Sequence, residues 1–163
     1  MFFSNLCEWL QGLPFAVAIA ESTVLFPAIE TIHVLALVLV VGSIAMVDLR
    51  LLGVTSKGRS VRALSRDVLP VTWVAFAVAA SSGFLMFASK AQIYLADTPF
   101  QLKVLALLLA GFNMLAFHFI TYRDVEAWDL DHPAPPAARV AGGLSLLFWL
   151  AVVTCGRWIG FTI

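Results

Sequence analysis

One apolar stretch of this chain, residues 27–50, is long enough to cross a lipid bilayer as a single helix, which takes about 20 residues. Glu30 and His33 lie near its first end, and Asp48 and Arg50 lie near its last. Ionisable side chains are costly to keep inside a membrane, so those that occur there commonly serve a function. We therefore expect His33 to bind a ligand or to transfer a proton. The alternative is a structural hydrogen bond from His33 to a neighbouring helix.

The composition places the whole chain in lipid. Apolar residues make up 61% of the chain and charged residues 12%, whereas globular domains have roughly half and a quarter. Such a chain has too few polar residues to cover a surface that faces water. We expect one all-α transmembrane domain over residues 1–163, a four-helix bundle preceded by an amphipathic helix at residues 3–12 that lies in the membrane interface. Hydropathy places the four spans at residues 26–52, 69–94, 100–122 and 140–163.

The distribution of positive charge predicts how the chain is oriented. Residues 1–25 contain no Lys or Arg, whereas five of the ten basic residues lie in or beside the first connection. These are Arg50, Lys57, Arg59, Arg62 and Arg66. Because positively charged connections stay in the cytoplasm, we expect a multi-pass protein of the bacterial inner membrane with both termini in the periplasm. The net charge of zero gives no indication of nucleic-acid binding.

The other two connections differ from each other in composition. Asp97-Thr-Pro99 predicts a tight turn in which Asp97 or Thr98 caps the third span, with Pro99 at its first position. Residues 123–139 are acidic and rich in proline, and His-Pro-Ala-Pro-Pro at 132–136 cannot continue a helix. This segment predicts an extended linker on the cytoplasmic side.

The alternating directions of the spans predict two polar clusters at opposite faces of the membrane. The outer cluster would contain Glu30, His33, Lys90, Lys103 and Arg157. The inner cluster would contain Asp48, Arg50, Trp73, Asn113 and His118, with Arg66 and Asp67 at its rim. His118 is a second candidate metal ligand, but its depth differs from that of His33 by most of the membrane, so both cannot bind one iron. The basic residues of the outer cluster could instead extend their charged ends to the lipid headgroups.

Motifs of soluble enzymes and of zinc sites are absent from the sequence. It has no Gly-x-Ser-x-Gly, no phosphate-binding glycine loop and no His-Glu-x-x-His, which excludes common hydrolase and kinase chemistry. Cys7 and Cys155 have no metal-binding spacing, and we interpret them as small apolar residues. The sequence does not decide whether they form a disulfide.

Two segments resemble helices of a known family. Ile32-His33, Gly42 and Asp48-Leu-Arg50-Leu-Leu resemble the first core helix of the HemJ-type protoporphyrinogen oxidases and of the related CopD-type copper-resistance domain. Phe100-Gln-Leu-Lys103 through Gly111-Phe-Asn113 is similar to their third helix. Uncharacterised bacterial four-helix membrane proteins share the Asp-Leu-Arg-Leu-Leu segment. The resemblance implies a bundle that binds b-type haem, with His33 as an axial ligand of the iron and Lys103 as its companion.

The leading hypothesis is a b-type haem protein that passes electrons, alone or as the membrane anchor of a redox complex. Neutral imidazole is a suitable ligand for iron. Lys103 and Arg157 would pair with the haem propionates, and Glu30 would accept a proton or orient His33. The partners would be a quinone or a periplasmic redox protein, with further membrane subunits or a second copy of the chain. Any enzymatic activity would be that of an oxidoreductase. We do not expect the protoporphyrinogen oxidase activity of the HemJ-type proteins, because Val47-Asp48 stands where they have a proline.

Two alternatives remain at this level. The first is a permease for a metal ion or small solute, with Glu30, His33, Asp48 and Asn113 along its path, because transporters use such chains of polar groups. The second is a membrane assembly subunit without catalysis, whose polar groups only fasten the helices together.

Overall fold

A computed structural model describes residues 2–55, 58–129 and 133–163, and these residues form helices and no strand. The third long helix, α6 (Thr98–Ala116), continues through a π-helical turn, Phe117–Thr121, into a 3₁₀ segment, Tyr122–Ala127. The α-helices are α1 (Phe2–Gln11), α2 (Pro14–Glu21), α3 (Leu25–Leu51), α4 (Val61–Ser89), α5 (Ala91–Ala96), α6 (Thr98–Ala116) and α7 (Pro136–Thr162). Four of the elements, α3, α4, α6 with its continuation, and α7, are long and apolar enough to span a membrane. The prediction of an all-α protein with four spanning helices is confirmed.

The spanning helices pack in the order α4, α3, α7, α6. Helix α4 lies along α3, α7 lies along α6, and α3 contacts α7. Small residues let the helices approach closely, and the aromatic ring of Trp149 occupies the space that they leave. All four helices contribute to this central core, through Val40, Ala75, Ala106, Ala110, Trp149 and Val152.

Helix α4 extends beyond the predicted second span at its first end and stops short at its other end. It begins at Val61 because Ser60 caps it, with the Ser60 Oγ accepting a hydrogen bond from the Ala63 backbone N–H at 2.9 Å. It ends at Ser89, and α5 follows after a break at Lys90. Part of the basic segment that we expected to form the first connection is therefore helical.

The two short N-terminal helices, α1 and α2, lie at one end of the bundle. Helix α1 contacts α5, and the Gln92 side chain donates a hydrogen bond to the Glu8 carboxyl at 3.3 Å. Cys7 of α1 is buried whereas Trp9 is 63% exposed, as expected for an amphipathic helix. Helix α2 packs on α4 through its buried face.

The two connections at the opposite end form a packed layer on the bundle. Residues 133–135 are not helical, as predicted, but Ala134 and Trp128 are buried in one apolar cluster with Leu51 and Val61. Asp129 tightens this layer because its carboxyl accepts a hydrogen bond from the Val61 backbone N–H. The described part of the third connection therefore packs on the bundle and is not the extended linker that we predicted. Residues 57 and 132 lie outside the described part of the chain.

Candidate functional site

The candidate site is built around His33, in the third turn of α3. His33, Ala36 and Val40 recur at helical spacing and form the buried face of this part of α3, which packs on α4. The position of His33 on this face turns its imidazole into the protein and away from lipid. Only 9% of the residue is exposed.

Two groups of α4 hold the His33 ring through one nitrogen. The Nδ1 atom lies 2.8 Å from the Ala79 carbonyl oxygen and 3.1 Å from the Ser82 Oγ. The Ser82 hydroxyl itself donates to the Val78 carbonyl at 2.6 Å. Because a carbonyl oxygen can only accept, Nδ1 carries the proton and donates it, and the lone pair of the neutral ring is on Nε2.

The second nitrogen of His33 has no hydrogen-bond partner among the described residues. Nε2 is buried and makes no hydrogen bond to any group that the structure describes. Buried polar atoms without a partner are rare in proteins, and each needs an explanation. A histidine that donates from one nitrogen to a carbonyl and leaves the other free has the arrangement of a metal ligand.

Gly83 makes room for this arrangement. A Cβ atom at Gly83 would lie 3.0 Å from the Cε1 of His33 and 3.4 Å from its Nδ1. Ordinary carbon contacts are about 3.5–4.0 Å, so a larger residue would displace the ring. The absence of a side chain at this position therefore lets the imidazole lie directly against α4.

Lys103 of α6 is the member of the predicted outer cluster that joins His33. The residue is half-buried, and its ammonium is close enough to act electrostatically on the His33 ring. The Lys103 side chain lies across α7 at Gly156, where an added Cβ would be 3.4 Å from the Nζ. All four spanning helices thus contribute to the end of the bundle at which His33 lies.

The other three members of the predicted outer cluster are not part of this arrangement. Glu30 is exposed and does not orient His33, whose ring is held by α4. Lys90 places its Nζ 4.9 Å from the centre of the Phe26 ring. Arg157 places its Cζ 4.7 Å from the centre of the Phe161 ring. These two cations are stabilised by aromatic faces, as the alternative of extension toward the headgroups allows.

An apolar groove of about 370 Å³ runs between α3 and α4 beside the histidine. Aliphatic side chains line most of it, and Ser81 and Ser82 provide its polar edge. Ser82 therefore borders the groove on one side and holds the His33 ring on the other. The groove is open to the outer surface of the helix pair.

The predicted inner cluster does not form one site. Arg50 is buried, and it donates from Nε to the Arg59 carbonyl at 2.8 Å and from Nη2 to the Asp129 carbonyl at 2.9 Å. Asn113 donates to the Ala141 carbonyl at 2.9 Å, which joins α6 to α7. Asp48 is buried at a separate place, between α3 and α7.

The two aromatic members of the predicted inner cluster point away from Asp48 and Arg50. Trp73 is 54% exposed on α4. His118 is exposed on the π-helical turn, and its ring stacks on Tyr122 with a distance of 5.0 Å between ring centres. His118 and His33 lie at opposite ends of the bundle, as the directions of the spans predicted.

No metal site of the ordinary kind is present in residues 2–55, 58–129 and 133–163. Within these ranges no three His, Cys, Asp or Glu side chains come together. Cys7 and Cys155 are free thiols. The structure therefore offers a metal ion a single histidine rather than a closed set of ligands.

Several residues of the site were missed in the sequence. The Ala79 carbonyl, Ser82 and Gly83 form the wall that holds His33, and Ser145 lies within reach of the Asp48 carboxyl. The run of small residues at 79–83 indicates a close helix contact. It does not indicate that a histidine 46 residues earlier is the group that fits there.

Comparison with known proteins adds a family. Residues 17–162 match the model of a family of unknown function, DUF6644. The chain belongs to this family. The matched region runs from α2 to the end of α7, so it includes every residue of the site. No curated protein and no solved structure matches the chain, and the resemblance to the HemJ-type and CopD-type proteins stays a prediction.

Proposed function

We propose that the protein is an integral membrane b-type haem protein that passes electrons, with the Nε2 atom of His33 as a ligand of the haem iron. One observation carries this proposal. The His33 ring is anchored through Nδ1 to the Ala79 carbonyl and to Ser82, while Nε2 is buried without a partner. In metal sites such a second hydrogen bond fixes the tautomer and the orientation of the ligating ring.

A purely structural role explains only half of this geometry. The bond from Nδ1 fastens α3 to α4, and a structural histidine would use it equally well. The unpaired Nε2 would then cost about 1–3 kcal/mol, since a buried acceptor has lost its water and gained nothing. A ligand on Nε2 removes this cost.

Haem suits the site better than a bare metal ion. Zinc sites take three or four protein ligands, and His33 has no second His, Cys, Asp or Glu partner among the described residues. In haem the porphyrin occupies four positions of the iron, and one histidine is a sufficient protein ligand. The apolar groove between α3 and α4 lies beside the residue that orients His33.

The surrounding residues would hold the group and exclude water. The Lys103 ammonium near His33 would pair with a haem propionate, as a charge-assisted contact. Arg157 and Glu30 lie outside the arrangement around His33, but both are exposed at the same end of the bundle and would be available to the second propionate and to a proton. When bound, haem would supply a one-electron iron couple whose potential depends on the ligand, the burial and the nearby charge.

The same proposal includes an orientation and a class of partner. Arg59 and Arg62 lie at the end of the bundle opposite α1 and α5, and positively charged connections face the cytoplasm. We place the protein in the bacterial inner membrane with both termini in the periplasm and the haem near the outer leaflet. A quinone or a periplasmic redox protein could then exchange electrons with it, within a homo-oligomer or a larger membrane complex.

The test is the reduced-minus-oxidised absorption spectrum of the protein purified in mild detergent with added haem. The wild type should give the Soret and α bands of b-type haem. His33→Ala should lose them. His118→Ala is the matched control, because it removes an exposed imidazole at the other end of the bundle, and it should leave the bands unchanged.

Ser82→Ala keeps the test informative if His33→Ala does not fold. Removal of such a supporting hydrogen bond lowers affinity for the metal roughly 10- to 100-fold, so this variant should bind haem more weakly and retain its helices by circular dichroism. A wild type that stays colourless after haem is added would overturn the proposal and favour the assembly role. A band that is lost in His118→Ala and kept in His33→Ala would mean that the haem binds at the opposite end of the bundle, at His118.

A further inference from the structure

Asp48 carries a buried carboxyl group that takes no part in the proposed haem site. It lies in the last turn of α3, fifteen residues after His33 and about 22 Å from it along the helix. Only 6% of the residue is exposed. Helix α7 crosses directly over it, since a Cβ at Gly142 would lie 3.1 Å from the Asp48 carbonyl oxygen.

The Asp48 carboxyl has no cationic partner among the residues that the structure describes. Its Oδ2 atom is buried and makes no hydrogen bond. Arg50 is two residues away, but both of its bonds go to backbone carbonyls of other segments. On α7 the Ser145 side chain lies within reach of the carboxyl, and the exposed Arg139 is beside Gly53.

Four of the remaining charged groups described at this end of the bundle form two ion pairs, and Arg66, Arg123 and Asp124 are exposed on the surface. Arg59 binds Asp67 at 2.7 Å, and Arg62 binds Glu126. All four side chains are at least half exposed. The carboxyl of Asp129 is engaged with the first turn of α4. None of these groups supplies a counter-charge to Asp48.

An ionised Asp48 would be an unpaired charge in a closely packed apolar place. A buried charge without a partner is so unfavourable that such a group usually changes its protonation state instead. A neutral carboxyl needs only the polar contact that Ser145 provides. A metal ion is a poor alternative, because calcium requires about six to eight oxygen ligands and the structure offers the carboxyl and one hydroxyl.

We propose that Asp48 is a proton-binding site of the membrane domain, a neutral carboxylic acid held between α3 and α7. In the exchange reaction the O–H bond of the carboxyl breaks and the proton passes to water, which leaves the carboxylate. This site is separate from His33 and does not depend on whether the protein binds haem.

The position of Asp48 determines the side from which its proton comes. Asp48 is three residues from the end of α3 at Leu51, a distance of about 5 Å along the axis. The layer of connections that includes Trp128 covers this end. The water nearest to Asp48 therefore lies beyond this layer, at the face of the membrane on which Arg50 and the basic segment lie, and not at the His33 end.

The test is an infrared measurement on the protein in lipid vesicles. At about pH 6 an ordinary aspartate is ionised, since its pKa is about 3.9. The wild type should show the carbonyl stretch of one protonated carboxyl, shifted in deuterated water, and Asp48→Asn should lose this band. Asp67→Asn is the matched control, because Asp67 is exposed and paired with Arg59, and it should keep the band.

Ser145→Ala keeps the proposal falsifiable if Asp48→Asn does not fold. Loss of the neighbouring hydroxyl should move the band to higher frequency without abolishing it. Identical wild-type and Ser145→Ala spectra, or a wild type without the band, would overturn the assignment. Loss of the band when sodium replaces choline at constant ionic strength would overturn it in favour of a sodium site.

Discussion

Gly142→Ala probes the contact that holds the two halves of the bundle together. An added Cβ at Gly142 would lie 3.1 Å from the Asp48 carbonyl oxygen and 3.2 Å from the Leu51 Cβ. Neither atom can rotate away, because one belongs to the backbone and the other is fixed to it. The only relief is for α7 to move away from α3 by several tenths of an ångström.

The magnitude follows from a comparison with the next residue. Gly143 is in the same helix, and a Cβ there would meet only the Leu52 Cδ2, at 3.9 Å, an ordinary contact. Both substitutions gain the same helix propensity, about 1 kcal/mol, so this gain cancels in the comparison. Overpacking of a close contact costs about 1–3 kcal/mol. Gly142→Ala should therefore be less stable than Gly143→Ala by about 1–3 kcal/mol.

The free energy of unfolding can be measured by titration of the protein in mixed micelles with a denaturing detergent, followed by circular dichroism. The two alanine variants and the wild type are compared under one set of conditions. Equal stability of the two variants would refute the close crossing of α3 and α7. It would also count against the proposed proton-binding site, because the burial of Asp48 depends on that crossing.

Two further predictions concern the ends of the bundle. Gly83→Ala places a methyl group 3.0 Å from the His33 ring and should weaken haem binding in the spectral titration, whereas Gly42→Ala, which meets nothing within 4 Å, should bind like the wild type. Arg50→Ala removes two hydrogen bonds from a charged, buried side chain and should lower the free energy of unfolding by about 2–4 kcal/mol. The exposed Arg66→Ala should change it by less than about 0.5 kcal/mol, and a similar loss in both arginine variants would contradict the role of Arg50.

The helix boundaries show which local signals are sufficient. Asp97 caps α6 as predicted, with its carboxyl 3.0 Å from the Phe100 nitrogen, because a cap is a contact between residues close in the chain. The start of α4 at Val61 was missed, since the basic residues after Ser60 lower the hydropathy while remaining helical. The 3₁₀ segment and the buried Trp128 were also missed, because both depend on packing against distant residues.

The glycines show the same limit at the level of single positions. In the sequence Gly42, Gly83, Gly111 and Gly142 are equivalent, since small residues in membrane helices suit close packing. In the structure Gly83 and Gly142 lie at close contacts, whereas added Cβ atoms at Gly42 and Gly111 would meet nothing within 4 Å. The residue type is identical, and only the neighbouring helix decides whether a side chain would clash.

The sequence by itself determined that the helices lie in lipid, that the fold is all-α, and how far along the spans the polar groups lie. Length of apolar runs and helical rise are one-dimensional quantities, so they place His33 and Lys103 near one end and Asp48 near the other without knowledge of any contact. Only the tertiary structure decided which of these groups are partners. It assigned the Nδ1 of His33 to the Ala79 carbonyl, left Nε2 free, and enclosed Asp48 under Gly142. Those facts depend on which faces of separate helices meet, and that is set by packing across 46 residues or more of chain.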